Sequence, residues 1–308
     1  MKRHFREISV ALALGLLLFG LALAAPAFFG RQQILSTLTI TAPVLIAACG
    51  MTLVILSRQI DISIGSQFAL CSTLTGLLAK TGLPIFVAAL GAIGCGALLG
   101  ACNGALIAGL RLPSIVVTLA TMVTWREALR WWREGEFVRD LPDGFQWFGL
   151  SQLAGQSVIL GVALAIFLLL AWAMKYVAAG RHVYAVGTDA EAARLAGLRP
   201  QRVTFSLFVL MGILVGVAAL LNAIRFSDVD PKTGTGLELQ TIAAAVVGGV
   251  AISGGRGNLW GVLAGVLLLG CIAPGLVFLS MPSQWEKAIQ GAIILLAVAA
   301  DGWRGRRR

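Results

Sequence analysis

The sequence consists of long apolar runs that are interrupted by short segments carrying most of its charged residues. A helix needs about 20 mainly apolar residues to cross a bilayer, where its backbone must satisfy its own hydrogen bonds. Of the 308 residues, 58% are hydrophobic and only 12% are charged, which leaves little chain for a separate soluble domain. We therefore predict an all-α fold, a polytopic transmembrane helical bundle that forms one domain over residues 1–308.

Ten apolar runs are long enough to be candidate spans. The third, fifth and eighth carry more polar residues than the others, and we expect one or two of the spans to be broken or half-inserted. Lysine and arginine collect in the segments that this alternation places on one side, which include both termini, so both termini are predicted to be cytosolic. The candidate spans lie near residues 8–29, 36–57, 61–80, 84–109, 113–132, 157–179, 203–224, 239–255, 258–279 and 285–302.

The longest charged segment on the predicted cytosolic side is residues 180–202. Its middle predicts a short helix that begins at Asp189 and ends at Leu198. Asp189 can cap this helix, Glu191 favours its first turn, and Gly197 can end it. A helix of this kind, projecting from a membrane domain, could be pushed by a soluble partner. The alternative is a solvated loop between two spans.

Residues 125–156 form the other large polar insertion, and the alternation of sides places it outside. The segment combines charges of both signs with several tryptophan and phenylalanine residues. Tryptophan is common in the headgroup region, so one interpretation is an amphipathic helix that lies on the membrane surface. The other interpretation is a docking surface for an extracytoplasmic partner, because charges at the rim of an interface guide association.

The sequence contains no pattern that would let this chain catalyse a reaction, bind a metal or hydrolyse ATP. GxxxxGK[ST], HExxH and GxSxG are absent, and the five cysteines fall inside apolar runs without a CxxC pair. No acidic residue lies at the centre of a span, where ion-coupled carriers usually place one. The net charge of +10 comes from basic residues that set topology and contact anionic lipid, and it does not indicate nucleic-acid binding. These features predict a translocation path that is powered by another protein.

Uncharged polar residues within the spans or near their ends are the candidates for lining such a path. Hydroxyl and amide groups both donate and accept hydrogen bonds, which suits a neutral polyhydroxylated solute. The alternative role for each of them is a hydrogen bond between helices. The candidates are Ser66, Gln67, Asn103, Thr118, Thr121, Asn222 and Gln240.

Glycines four residues apart recur in three of the spans. Small residues at this spacing allow two helix backbones to approach closely in lipid. The pattern predicts a closely packed helical bundle and identifies no substrate. The glycines are Gly96, Gly100 and Gly104, then Gly212 and Gly216, then Gly261 and Gly265.

Four blocks of sequence resemble the membrane permease subunits of bacterial ABC importers for simple sugars. They are SRQIDISIGS at 57–66, GACNGALIAGLRLPSIVVTLAT at 100–121, GRHVYAVGTDAEAARLAGL at 180–198 and GTGLELQTIAAAVVGGVAISGGRGNLWG at 234–261. Their order and spacing match that family over most of the chain. The resemblance implies a permease in the bacterial inner membrane.

The third block contains Glu-Ala-Ala followed, after three further residues, by glycine. This is similar to the loop through which importer permeases contact their ATPase subunits. The Leu-Pro that usually follows is missing, since Leu207 precedes Phe208. The resemblance therefore implies the coupling role of the loop but not the fold of the permeases in which the full motif occurs. The residues that inherit this role are Gly187, Asp189, Glu191, Ala192, Ala193, Arg194, Leu195 and Gly197.

Permeases of this kind work with several partners. The resemblance implies an ATPase subunit that binds ATP, a second permease chain, either the same or different, and an extracytoplasmic sugar-binding protein. The outer stretch REALRWWREGEFVRDLP resembles rhamnose-type and autoinducer-2-type permeases more than ribose ones. The expected cargo is a monosaccharide or a similar small polyol-like solute. A self-contained secondary carrier or channel and a polytopic membrane enzyme are the alternatives.

Overall fold

The computed structural model describes residues 5–282 and 284–305 of the chain, and its regular structure there is helical. In this part the chain forms no β-strand beyond one antiparallel bridge between Val138 and Val229. Helix α4 continues through a short π-helical stretch, residues 105–109. The α-helices are α1 (Phe5–Ala24), α2 (Arg31–Leu56), α3 (Ile64–Lys80), α4 (Ile85–Gly104), α5 (Ser114–Arg133), α6 (Gln152–Tyr176), α7 (Ala178–Thr188), α8 (Ala190–Leu195), α9 (Pro200–Ala223), α10 (Leu237–Val247), α11 (Leu259–Gly270), α12 (Ile272–Phe278) and α13 (Gln284–Gly305).

Each predicted span overlaps at least one of these helices. The chain is therefore an all-α, multi-pass membrane protein, as predicted. The predicted location of the two termini concerns residues 1–4 and 306–308, which lie outside the described residues. Five segments of the described chain are long and apolar enough to cross a membrane, and these are Arg31–Leu56, Ile85–Gly109, Gln152–Tyr176, Pro200–Ala223 and Leu259–Phe278.

Helix α2 runs through the centre of the bundle. It is apolar on all sides, a pattern typical of a helix that is covered all round. Ile46, Ala47 and Cys49 have no exposed surface. Helices α6, α9, α10 and α11 all pack against it. These four helices are therefore positioned in part by their contacts with α2.

Helices α4 and α9 approach each other until their backbones touch. A Cβ atom built on Gly96 would collide with the carbonyl oxygen of Gly212, and a Cβ atom on Gly212 would collide with that of Gly96. Gly265 of α11 makes the same kind of contact with Ala244 of α10. The close packing predicted from the glycine spacing is confirmed at both contacts.

The eighth predicted span does not cross the membrane as one helix. Before it, the chain runs beside α3 in a series of turns, with Val229 against Gly76 and Gly234 against Gly65. Gly236, at a φ of 87°, then starts α10. This helix has only 11 residues, so it is about 16 Å long, roughly half the thickness of the hydrocarbon core. The expectation that one of the more polar spans is broken is confirmed for this one.

The segment 125–156, which is predicted to lie outside, does not form a helix of its own. Its beginning belongs to the last turns of α5, its end belongs to the first turn of α6, and residues 134–151 form turns. Gly135 and Gly149 have φ values of 81° and 70°, which are incompatible with a continuous helix. The segment folds back onto the bundle, where Phe145 is buried.

Replacing Gly96 with valine should disrupt the contact between α4 and α9. The new side chain would meet backbone atoms of α9, which cannot move aside as a flexible side chain can. Overpacking of this kind costs about 1–3 kcal/mol. We expect a lower unfolding temperature in detergent, measured by differential scanning fluorimetry. Gly94→Val is the matched control, because a Cβ atom at Gly94 meets only open space. Equal unfolding temperatures for the two variants would contradict the contact.

Candidate coupling surface and polar path

Helix α8 lies where the sequence predicts the cytosolic helix, and it extends from Ala190 to Leu195. The Oδ1 atom of Asp189 accepts hydrogen bonds from the backbone N–H groups of Glu191 at 2.9 Å and Ala192 at 3.0 Å. These two groups have no partner inside the helix, so the Asp189 side chain caps its first turn. The predicted cap is confirmed.

The other end of α8 is a Schellman motif. The N–H group of Gly197 donates to the carbonyl of Arg194, and the N–H group of Leu198 donates to that of Ala193, both at 3.0 Å. Gly197 has a φ of 86°, a left-handed conformation that favours glycine. The predicted stop is confirmed at Gly197, although the helix ends at Leu195 and not at Leu198.

The charged side chains of α8 are held in their ionised forms. The hydrogen bonds from the backbone of Ala192 and Glu191 lower the pKa of Asp189. The hydrogen bond from Arg194, 2.9 Å from Nε to Oε2, lowers the pKa of Glu191 in the same way. The cap is therefore charged at neutral pH.

One face of α8 is exposed, and the other packs against the protein. Leu195 is 77% exposed, whereas Ala193 is only 5% exposed. Ala192 and Ala196 are exposed as well, which agrees with the face expected to meet a partner. Ala193 was included among the coupling residues by the family motif, but its burial shows that it supports the helix from beneath.

The chain just before α8 is fastened to the end of α2. Gly187 of α7 lies directly against the carbonyl group of Leu56, and any side chain at Gly187 would collide with it. Arg58 donates from Nε to the carbonyl of Ser253 at 2.9 Å and from Nη2 to the carbonyl of Thr188 at 2.5 Å. These contacts join α2, α7 and the loop after α10 at one point beside α8.

The contacts of Arg58 with Thr188 and Ser253 were not predicted from the sequence, where Arg58 counted only as one of the basic residues that indicate topology. Its position directly after a buried span, inside the block SRQIDISIGS, was the available signal. Gly254 lies against the Arg58 side chain, and the N–H group of Gly255 donates to the carbonyl of Leu56 at 2.9 Å. The glycine-rich block after α10 therefore lets this loop reach the end of α2.

Four of the seven path candidates are completely buried and join segments of the chain. Gln67 Nε2 donates to Ser63 Oγ at 2.8 Å and to Asp61 Oδ2 at 3.2 Å. Asn103 Nδ2 donates to the same Ser63 Oγ at 2.8 Å, which links α4 to the start of α3. The four buried candidates are Ser66, Gln67, Asn103 and Thr118.

Ser66 and Thr118 satisfy backbone groups near the start of α3. Ser66 Oγ donates to the carbonyl of Ser63 at 2.8 Å. Thr118 Oγ1 accepts from the N–H group of Ile62 at 3.1 Å and donates to the carbonyl of Ser114 at 2.8 Å. Asn103 and Thr118 thus bond to another element of the chain, as the alternative role expects. Ser66 and Gln67 bond only to Asp61 and Ser63 at the start of their own helix.

The other three candidates are partly exposed and lie apart from one another. Thr121 lies on α5 and donates to the carbonyl of Thr118 at 3.3 Å. Asn222 lies near the end of α9, where its Oδ1 accepts from Arg225 Nη1 at 3.2 Å. Gln240 lines a cavity of about 500 Å³ that is bounded by α2 and α10–α13. Among the described residues, the seven candidates therefore do not line one cavity.

Two partly exposed charged residues that were not among the candidates lie close together beside α3. Arg126 of α5 donates to the carbonyl of Thr233 at 3.2 Å and to Thr235 Oγ1 at 3.3 Å. The Arg126 guanidinium and the Glu238 carboxylate both lie over Gly65, whose missing side chain leaves room for them. No signal in a single sequence connects positions so far apart along the chain.

The five cysteines, all within the described residues, are free thiols. In the same part of the chain, no group of three or more His, Cys, Asp or Glu side chains is placed to hold a metal ion. The functional features of the described structure are thus a capped surface helix and several buried polar contacts.

Comparison with known proteins places these features in a family context. Residues 33–298 match the family model described as branched-chain amino acid transport system / permease component. The autoinducer 2 import system permease protein LsrC of Enterobacter sp. (strain 638) is 35% identical over 298 residues, which are 96% of this chain and 87% of that protein. The protein of the same name from Escherichia coli O157:H7 is 36% identical over 302 residues, which again are 96% of this chain and 87% of that protein. No solved structure matches the chain.

Replacing Asp189 with alanine should loosen α8 and leave the bundle folded. The N–H groups of Glu191 and Ala192 would lose their acceptor, so their hydrogens should exchange faster in deuterium exchange followed by mass spectrometry. Asp189→Asn, which keeps an acceptor oxygen, is the matched control. Because the pKa of Asp189 is lowered, the wild-type cap should persist above its ordinary pKa and be lost as the pH falls through the lowered value. Unchanged exchange in the alanine variant would contradict the cap.

Proposed function

Because the chain belongs to the family of branched-chain amino acid transport system permease components, we propose that it is the transmembrane permease subunit of an ABC importer. A separate ATPase subunit binds and hydrolyses ATP, and an extracytoplasmic binding protein delivers the solute. A second permease chain completes the path through the membrane. Relatives of this chain are transporter permease subunits and not enzymes.

The exposed face of α8 is the observation that carries the coupling part of the proposal. This short helix presents Leu195 to the outside although a leucine gains free energy from burial. A helix of six residues is not stable alone in water, so it depends on its caps and on the packing of Ala193. A rigidly held apolar face of this kind suits a groove on an ATPase subunit.

The proposed cargo is a monosaccharide or a similar small polyol-like solute. The named relatives are autoinducer 2 import permeases, which supports a small oxygen-rich molecule for this chain as well. Thr121, Asn222 and Gln240 keep their place as candidates for contact with the solute, because they are partly exposed. Arg126 of α5 and Glu238 in the first turn of the half-helix α10 are further candidates.

The proposed topology has ten spans with both termini in the cytosol, and α10 with the turns before it counts as one two-part span. The contacts between loops support this arrangement. Arg58, Thr188 and Ser253 meet at the predicted cytosolic face. At the predicted outer face, Lys80 Nζ lies 3.5 Å from Asp140 Oδ2.

Replacing Leu195 with serine should weaken the contact with the ATPase subunit. The substitution removes the most exposed large apolar side chain of α8 and leaves both caps intact. In complexes reconstituted with the binding protein, ATPase stimulation by the loaded binding protein should fall about tenfold, the factor that corresponds to about 1.4 kcal/mol of lost contact. Leu153→Ser, at an exposed leucine near the start of α6, is the control.

A cysteine at Leu195 should also crosslink to the ATPase subunit, whereas a cysteine at the buried Ala193 should not. The coupling role of α8 would be contradicted if the Leu195→Ser variant showed normal ATPase stimulation and a cysteine at Leu195 formed no crosslink. The segment would then be only a solvated connection between two spans.

Reversing the charge of Arg139 should weaken capture of the binding protein on the outer face. Arg139 is exposed in the outer segment and lies 5.9 Å from the Phe137 ring. Exposed charges act mainly on association rate, so we expect Arg139→Glu to slow association several-fold at low salt and much less at high salt. Biolayer interferometry on permease in nanodiscs measures this rate. Arg202→Glu, on the predicted cytosolic side, is the control. Equal association rates for the Arg139→Glu and Arg202→Glu variants would contradict a docking role for residues 125–156.

A further inference from the structure

A small polar cavity lies where the outer ends of α2, α6 and α9 meet. Its volume is about 110 Å³, and it is open on one side. Such a volume is well above the space that one ordered water molecule needs, so the cavity could hold part of a small polyol. The residues that line it are Ser36, Thr39, Trp147, Gln152, Gln156 and Arg225.

Gln156 is a buried amide whose oxygen has no partner. The side chain lines the cavity and the residue is only 2% exposed. Its Oε1 atom accepts no hydrogen bond from any residue that the structure describes. Buried polar groups are normally paired, so an unpaired one beside a cavity points to a ligand that supplies the missing donor.

Arg225 offers donors on another side of the same cavity. Its guanidinium is held by Asn222, which accepts from Nη1 at 3.2 Å, and by the Phe226 ring, 5.2 Å from Cζ. Its backbone carbonyl accepts from Gln146 Nε2 at 3.1 Å. A guanidinium has five N–H donors and Asn222 engages only one of them, so the fixed group can also bind oxygen atoms in the cavity.

Trp147 is placed at the cavity by a strained turn. Its φ and ψ are 55° and 25°, and those of Phe148 are 59° and 29°. Two successive bulky residues rarely adopt this left-handed conformation, and such strain persists where the surrounding structure enforces it. The N–H group of Trp147 donates to the carbonyl of Ile224 at 2.7 Å, and the ring packs against Gly155, where any side chain would collide with it.

We propose that this cavity is a binding site of the permease for a small polyhydroxylated solute. The Gln156 oxygen accepts from a hydroxyl group, Arg225 donates to a hydroxyl or carbonyl oxygen, and the Trp147 ring covers an apolar C–H face. Hydroxyl groups of Ser36 and Thr39 extend the polar lining. Asn222 is then a positioning residue that orients Arg225. The inference rests on the proposed function and gives that function a solute site on the outer side of the bundle.

A cysteine at Ser36, in a chain whose five native cysteines are replaced by alanine, reports on occupancy of the cavity. A small thiol reagent is applied to the full importer complex in nanodiscs, with L-rhamnose or D-ribose as the probe. We expect at least one of the sugars to slow the modification in a saturable way. Glycine betaine, a small solute without hydroxyl groups, should not slow it.

Gln156→Leu separates a binding role from a structural one. The substitution removes an unpaired buried polar atom, so the variant should unfold at the same temperature as the parent or a higher one. The sugar concentration for half-maximal protection should nevertheless rise about five- to tenfold, the factor for loss of one hydrogen bond. Gln33→Leu, at a residue that lines the larger cavity, is the matched control and should leave protection unchanged.

The outcomes distinguish the site from the function on which it rests. Protection by neither sugar would overturn the site, and so would an unchanged half-maximal sugar concentration for protection in a folded Gln156→Leu variant. ATP-dependent uptake measured on the same complexes tests the function separately. An unchanged sugar concentration for half-maximal uptake by the Gln156→Leu variant would overturn the site and leave the permease role standing. Failure of the wild-type complex to take up either sugar with ATP would overturn the proposed sugar import, and the site with it.

Discussion

Backbone polar groups inside a bilayer must find hydrogen-bond partners within the protein. In this bundle the constraint applies to the non-helical segments that precede α3 and α10. Between α2 and α3, the N–H group of Ile62 bonds to the side chain of Thr118. Before α10, the side chain of Arg126 bonds to the carbonyl of Thr233. Polar side chains such as those of Thr118 and Arg126 therefore form hydrogen bonds with backbone groups outside the helices. Side chains that remain unpaired, such as Gln156, become more informative for that reason.

Close contacts between backbone segments connect α8 to the central helix α2. Helix α7 touches the end of α2 through Gly187 and Leu56, and Arg58 adds bonds to Thr188 and Ser253. Helix α2 in turn contacts α6, α9, α10 and α11. A contact between backbone atoms deforms less than a contact between flexible side chains when one element is displaced. The coupling that we propose would pass from α8 to the helices around α2 through this series of contacts.

At the predicted outer end of the bundle, the structure brings together two features that the sequence singled out for unrelated reasons. Asn222 was a candidate for lining the path, and Trp147 belonged to a segment that resembled a membrane-surface helix. In the structure the Asn222 side chain holds Arg225, and the backbone of Trp147 bonds to Ile224, so both residues border one small cavity or support its wall. The aromatic residues of residues 134–151 therefore serve tertiary packing as well as any contact with lipid.

The sequence by itself determined the membrane class, the helical architecture and the form of α8. Composition and run length decide the first two, since hydrocarbon tolerates few other backbones. The caps of α8 were predictable because Asp189 and Gly197 act on groups only a few residues away. Tertiary structure alone decided that α4 meets α9, which of the three more polar spans is broken, and that Gln67 and Asn103 donate to groups inside the protein while Gln156 faces a cavity. The physical reason is distance along the chain: whether a polar or small side chain meets a backbone, a partner or open space depends on residues that only folding brings to it.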